Sequence, residues 1–431
     1  MIRIFVLVFA LAPLALFAQE PHSGMDMPGM NHAPDQPMSM QASTFLESIE
    51  QHTSAGTDAE LLSTPSAMLM AQKHDWTLML HGVAFLNEIQ QSGPRGSGKL
   101  FSTNWIMPMA QRKLGRGTLT LRAMFSLEPA TISRQRYPEL LQQGETAFGH
   151  PIVDGQHPHD FFMELAALYD YRLTDKTLLS FYFAPMGDPA MGPIAYPHRA
   201  SASENPLAPL GHHLQDSTHI VDDVVTVGLT YHQARLEASG FHGREPDEHR
   251  WNLDSGTMDS WSTRFTVNPS ANWSAQFSLA QIHSPEAQAP ADDLRRITTS
   301  VAYNRPLRLG NWASLLLWGR NQSLRDGNVG NGYLFESTVK FLNHNAAWTR
   351  IENTDRTNEL LLIGNPPGFS EKYFTRVQAY AAGYDRELGH LPHLSTALGA
   401  QLTWYGLPAV LRPTYGPHPV GVVLFLRLSA H

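Results

Sequence analysis

From Trp76 onward, apolar and polar residues alternate with a period of two, the signature of strands whose two faces meet different surroundings. Between Gly117 and Glu128, Leu119, Leu121, Ala123, Phe125 and Leu127 share one face, while Thr118, Thr120, Arg122, Met124, Ser126 and Glu128 share the other. Residues 161–173 repeat the pattern, with Phe161, Met163, Leu165, Ala167, Tyr169 and Tyr171 set against Glu164, Asp170 and Arg172. Residues 393–404 do so again, Leu394, Thr396, Leu398, Ala400, Leu402 and Trp404 facing away from Ser395, Gly399, Gln401 and Thr403. Segments of this kind fall near 76–90, 99–109, 117–128, 161–173, 176–186, 221–232, 234–243, 259–268, 272–283, 294–304, 311–321, 332–342, 345–352, 372–384, 393–404 and 418–428. Most have the length, about 9 to 11 residues or slightly more, that crosses a bilayer at a tilt.

The connections decide between a barrel and a soluble β-sandwich. Leu173–Lys176, His232–Ala234, Asn268–Ala271 and Leu342–Asn345 are tight turns, whereas 129–160, 187–220, 244–258 and 353–371 are long excursions. Short turns at one end and long loops at the other are what outer-membrane barrels show. The pattern predicts an all-β fold, a transmembrane antiparallel up-and-down β-barrel of about sixteen strands over residues 74–431. An even count returns both termini to the periplasm. A soluble multi-sheet protein is the alternative fold.

Composition sharpens this picture. Only 16% of residues are charged and 10% are aromatic, a balance suited to strands with a lipid-facing side. No stretch after residue 18 approaches the roughly 20 apolar residues of a membrane-spanning helix. A net charge of -8 argues against a nucleic-acid partner. Cysteine is absent, which removes disulfides, thiolate catalysis and thiolate metal sites. Arg3, the apolar run Ile4–Phe17 and then Ala18 are read as a signal peptide, residues 1–18, for export. Tryptophans 76, 105, 261, 273, 312, 318, 348 and 404 fall in or beside strands, where interfacial girdles belong. Gly421–Leu426 has the glycine-plus-alternating-apolar form of a last strand offered to the barrel-assembly machinery, although Pro419 and the continuation to His431 depart from it.

Residues 19–73 differ from the rest. Rich in Pro, Gly, Ser, Gln, Met and His, they read as a disordered periplasmic arm with a helical turn or two near Phe45–Ile49. His22, Met25, Met27, Met30 and His32, with Met38 and Met40 behind them, are candidate copper ligands, because soft thioether sulfur suits Cu(I) and imidazole suits Cu(I), Cu(II) and Zn. The same residues would equally make a plain polar linker. The run Met25-Asp-Met-Pro-Gly-Met-Asn-His32 ahead of a barrel resembles copper resistance protein B, an outer-membrane family with a Met/His-rich periplasmic arm. The likeness covers architecture and about twenty residues of the arm. It implies a copper ion as cofactor, periplasmic copper proteins as partners, and a role in copper export or tolerance. The stretch Asp154-Gly-Gln-His157-Pro-His159-Asp160-Phe-Phe-Met-Glu164 is similar to a group of uncharacterised bacterial outer-membrane proteins, which implies no activity.

Ten of the 21 histidines lie between residues 150 and 249. His157, His159 and Asp160 in the second long loop, and His212, His213 and His219 in the third, are candidates to converge on a divalent metal with N and O ligands. A polar loop network folded over the pore is the alternative. Arg122, Glu164, Asp170, Arg172, Arg235, Glu237, Arg264, Glu336, Lys340, Arg376 and Arg427 are expected to face the lumen, since intramembrane charges must meet water or pair. Their mixed signs predict paired networks and a constricted pore. Gly93–Lys99 has phosphate-loop spacing, but Leu100 replaces the Mg-binding hydroxyl and a strand follows, so it is a turn. No catalytic motif stands out, and the chain is not expected to be an enzyme; a lipid or ester hydrolase around Ser217 and His219 is a remote alternative. Three functions therefore remain open: copper handling at the outer membrane, a porin without metal function, and that hydrolase.

Overall fold

The structure, a computed structural model, describes residues 42–430 apart from 67, 133–135, 217–220, 287–289, 358–359, 361–374 and 392. Its strands in chain order are β1 (Leu69–Lys73), β2 (Trp76–Gln91), β3 (Gly98–Leu114), β4 (Gly117–Phe125), β5 (Tyr137–Ala147), β6 (His150–Gln156), β7 (Phe162–Thr174), β8 (Thr177–Gly187), β9 (Val221–Tyr231) and β10 (Ala234–His242). Then follow β11 (Ser260–Ser270), β12 (Trp273–Ile282), β13 (Leu294–Leu307), β14 (Gly310–Ser323), β15 (Val329–Phe341), β16 (Asn345–Arg356), β17 (Thr375–Leu391), β18 (Leu394–Gly406) and β19 (Val420–Ala430). Each wall strand pairs antiparallel with the next, β4 passing directly to β7, and β19 closes onto β2 from Gly421↔Gln91 to Ala430↔Gly82. The result is a closed transmembrane barrel of 16 strands, with β1 an extra segment laid along the first residues of β2. All sixteen segments read from the alternation are wall strands.

The burial pattern is inside out, which is what lipid on one side requires. In β9, Val227 and Leu229 are 44% and 48% exposed while Thr226 and Thr230, which flank them, are buried. The apolar side chains face outward and the hydroxyls face the lumen. Two bands of outward aromatics mark the ends of the apolar belt. At the tight-turn end Trp273 and Trp312 flank Tyr303, with ring centroids 4.6 and 5.4 Å apart. At the other end Tyr380 packs on Trp404 at 5.3 Å. Two of the tryptophans assigned to girdles belong elsewhere. Trp348 is buried and donates from Nε1 to Gln401 at 2.7 Å, and Trp105 packs on His198.

Two features depart from the sequence reading. The second long loop carries its own hairpin, β5 with β6, a separate two-stranded sheet. Residues 42–73, read as part of a disordered arm, are ordered. Helix α1 (Phe45–Gln51) starts on Thr44, whose hydroxyl accepts from the Glu47 N–H at 3.2 Å, and ends on His52 in the left-handed region. Its Phe45, Leu46 and Ile49 are buried with Leu178. The correction has a physical reason: this segment is held by the barrel wall, not by a periodicity of its own. The signal peptide and the arm's His22, Met25, Met27, Met30 and His32 lie outside the described residues, as does His219.

Candidate functional site

The candidate site is the lumen, which two segments enter. The first is the strap of residues 42–66. Arg122 on β4 is its main clamp: the guanidinium donates to both carboxylate oxygens of Glu164 on β7, at 2.6 and 2.7 Å, and to the backbone carbonyls of His52, Ser54 and Gly56 at 3.0, 2.5 and 2.5 Å. The Gly56 N–H donates back to Glu164 at 3.0 Å. Gly56 has φ +61, and a Cβ there would stand 2.8 Å from that of Asp188, so the close approach needs glycine. Before the clamp, the His52 ring meets Asp170 at 2.5 Å, and beyond it Arg264 on β11 holds Asp58 and the Thr57 hydroxyl. Asn304 on β13 then fixes Ser63 at 3.0 Å. The strap thus runs across the lumen from β4 and β7 to β11 and β13, and leaves it through β1.

The second segment is the third long loop, described over residues 188–216. Arg199 donates to Glu336 on β15 at 2.8 Å, and the Ser201 hydroxyl donates to the same carboxylate. Glu204 is held by Lys340 at 2.5 Å and Arg427 at 2.7 Å. Arg350 donates to the Leu207 carbonyl at 2.7 Å and Arg356 to that of Leu210. These contacts lie on β15 and β16, across the barrel from the clamp, and on β19, which adjoins β2. The lumen charges expected from sequence are therefore mostly paired, and what they hold is this loop and the strap. Arg376 departs from that list: it pairs with Asp355 and is 40% exposed.

Loop residues also meet at the long-loop side. His212 and His213 sit in helix α3 (His212–Gln215; α2 is Glu128–Thr131 and α4 is Arg412–Tyr415). With His157 from the second loop they form a buried trio whose ligand atoms lie within 4.8 Å of one another. The Nδ1 atoms of His157 and His212 face the carbonyls of Pro158 and Pro209 at 2.9 and 2.5 Å. A carbonyl only accepts, so each ring donates from Nδ1, which makes Nε2 the atom that would ligate a metal. Burial, reinforced by the neighbouring rings of His213 and His157, holds His212 well below the usual histidine range. The sequence reading included His159 and Asp160 in this group, and the structure places them apart. His159 meets Glu128 at 3.0 Å and Tyr196 at 3.3 Å, while Asp160 accepts from Arg250 at 3.0 Å. Burial lowers His159, but the Glu128 carboxylate more than reverses this and the net direction is upward.

A third group was not foreseen. Met79, Met107, Met109, Met124, Met163 and Met186 form one buried cluster, with Met68 and Met70 packed against it. A register shift between Met124 and Phe125 in the β4–β7 pairing accompanies the burial of Met163, which the simple alternation had put on the outer face. The usable signal was methionine at polar-face positions, Met107 and Met109 alternating with exposed Ile106 and Pro108, and Met124 two residues from Arg122.

No family model matches the chain, and no curated protein matches it. Among solved structures it is similar to an anion-selective porin from Comamonas acidovorans, at 10% identity and a TM-score of 0.52, covering 82% of this chain and 99% of that one. It is also similar to OprB of Pseudomonas putida, at 9% identity and a TM-score of 0.51, covering 83% and 94%. At such identities the likeness is one of fold.

Proposed function

We propose that this chain is an outer-membrane channel whose lumen is closed by the strap and the third loop. The observation that carries the reading is the Arg122 clamp: a buried guanidinium spends its donors on the carbonyls of a segment that is not part of the wall. Contacts of that kind hold a removable element. The similarity to porin barrels supports a channel architecture, and the interleaved signs of the lumen charges favour weak selectivity over the anion preference named for the Comamonas protein. Because the chain is free of cysteine, the pair Ser63→Cys and Asn304→Cys can lock the strap without side reactions. In planar bilayers the oxidised pair should be silent and the reduced pair should open. Equal conductance in both states would remove the strap from gating, and silence in both would remove the channel.

A second reading, copper handling, rests on the composition of residues 21–40. Its test is deletion of that stretch: copper tolerance and the copper content of purified protein should both fall, and the reading fails if neither changes.

A further inference from the structure

The chain has 16 methionines, and ten of them follow residue 40. Eight of those ten belong to the single cluster described above. Elsewhere the lumen face mixes hydroxyls, amides and paired charges, as at Thr226, Gln276, Ser278 and Thr298, with aliphatic and aromatic clusters such as Phe85, Ile89, Phe101 and Phe425. The cluster instead occupies neighbouring strands, from β1 through β2, β3, β4 and β7 to β8. Its register is tight. Met70 pairs with Met79 and Met79 with Met109, so three thioethers share one rung, and His81 pairs with Met107 on the next rung of the same face.

Imidazoles stand among these sulfurs. His198 of the third loop lies with Nε2 3.4 Å from Sδ of Met124, and its ring is 6.1 Å from that of His81. His198 also lines two cavities. One holds Met68, His81 and Trp105 on the strap side, and the other holds Met124, Met163 and His159. Arg122, next in register to Met109, is a cation here, but its charge is met by Glu164.

Methionine fills irregular apolar gaps in ordinary cores. The apolar clusters around Leu210 and around Phe85 and Phe425, built mainly from Leu, Val, Tyr and Phe, contain no methionine. Here the flexible thioethers, packed with Ala55 and Trp105, are gathered beside histidines and open space. We infer that the Met/His cluster inside the barrel, centred on Met107, Met109, Met124, His81 and His198, is a binding site for a soft monovalent cation of the Cu(I) and Ag(I) class. Thioether sulfur is a soft, neutral ligand, and two to four such groups with one imidazole satisfy a d10 ion without adding negative charge to the lumen. The ligands come from the wall and from the third loop together, so an ion there ties that loop to β2, β3 and β4.

The site does not depend on conduction, and binding is measured on detergent-solubilised full-length protein whether or not the barrel opens. The arm is silenced in the full chain by changing Met25, Met27, Met30, Met38 and Met40 to Leu and His22 and His32 to Ala. Silver ion is the probe, read by metal content and by X-ray absorption. The arm-silenced chain should retain about one Ag(I) with mixed sulfur and nitrogen scattering. Adding Met79→Leu, Met107→Leu, Met109→Leu and Met124→Leu, swaps that conserve volume and keep the barrel folded, should weaken binding by about tenfold or more, the loss that even indirect partners of a metal cause. His198→Gln combined with His81→Gln should remove nitrogen scattering while sulfur remains. An arm-silenced chain that binds no silver, or a four-leucine chain that binds it as before, overturns the assignment. A silent barrel that still binds silver would defeat the channel reading alone.

Discussion

Replacing Arg122 by methionine should unlock the strap. Arg122 is 3% exposed, and its guanidinium makes two hydrogen bonds to Glu164 and three to strap carbonyls. Its loss leaves Glu164 with the Tyr182 hydroxyl at 2.8 Å and the Gly56 N–H at 3.0 Å, too little to compensate a buried carboxylate. Breaking one partner of a buried pair costs about 3–5 kcal/mol. That penalty falls on the docked state, since an undocked strap lets water reach Glu164. At about 1.4 kcal/mol per factor of ten, the undocked population should rise by about two to nearly four powers of ten. The assay is single-channel recording of R122M in planar bilayers, scored by the fraction of time open. Heat-modifiable gel migration establishes that the barrel is intact. Adding Glu164→Gln removes the stranded charge and should recover part of the closed time. An intact R122M barrel whose open fraction matches the parent would refute the clamp.

Leu229→Arg, on the lipid face of β9, should cost about 2–4 kcal/mol of folding stability in vesicles, against a small effect for Thr230→Ser on the lumen face, as read by denaturant titration. A cost of similar size for both would contradict the inside-out assignment. The His157, His212 and His213 trio should take up Zn(II) or Cu(II), and changing all three to Ala should abolish that uptake in equilibrium dialysis; unchanged uptake would exclude the trio. His159 is raised in the folded protein, so its contribution is fully present below its unfolded value near 6.5 and is lost as pH rises through the higher folded value. Hydrogen exchange in residues 126–161 should therefore speed up relative to its intrinsic rate across that window, and His159→Gln should flatten the effect.

The wall was legible in the sequence because lipid imposes a strict period of two on every spanning strand, and the alternation of tight turns with long loops fixed its topology. Hairpin β5–β6 was not legible: it is packed on both faces over the lumen, so it lacks the alternation that marks its neighbours. The strap was missed for another reason. It is held through its backbone carbonyls by Arg122, so its own side chains carry no pattern of that contact. The histidine trio was half visible. Density along the chain pointed to His157, His212 and His213, but sequence could not show that Glu128 draws His159 away. The methionine cluster was scattered as single residues over several strands, and only closure of the sheet brings them together.

The strap's exit through β1 has a kinetic consequence. Residues 64–68 link Ser63, anchored on Asn304, to a strand annealed onto β2. A released strap is therefore tethered at one end and meets its dock at an effective concentration of about millimolar. Closure would be first order and indifferent to how many barrels the membrane holds, and a free peptide copying the strap would have to reach comparable concentration to compete.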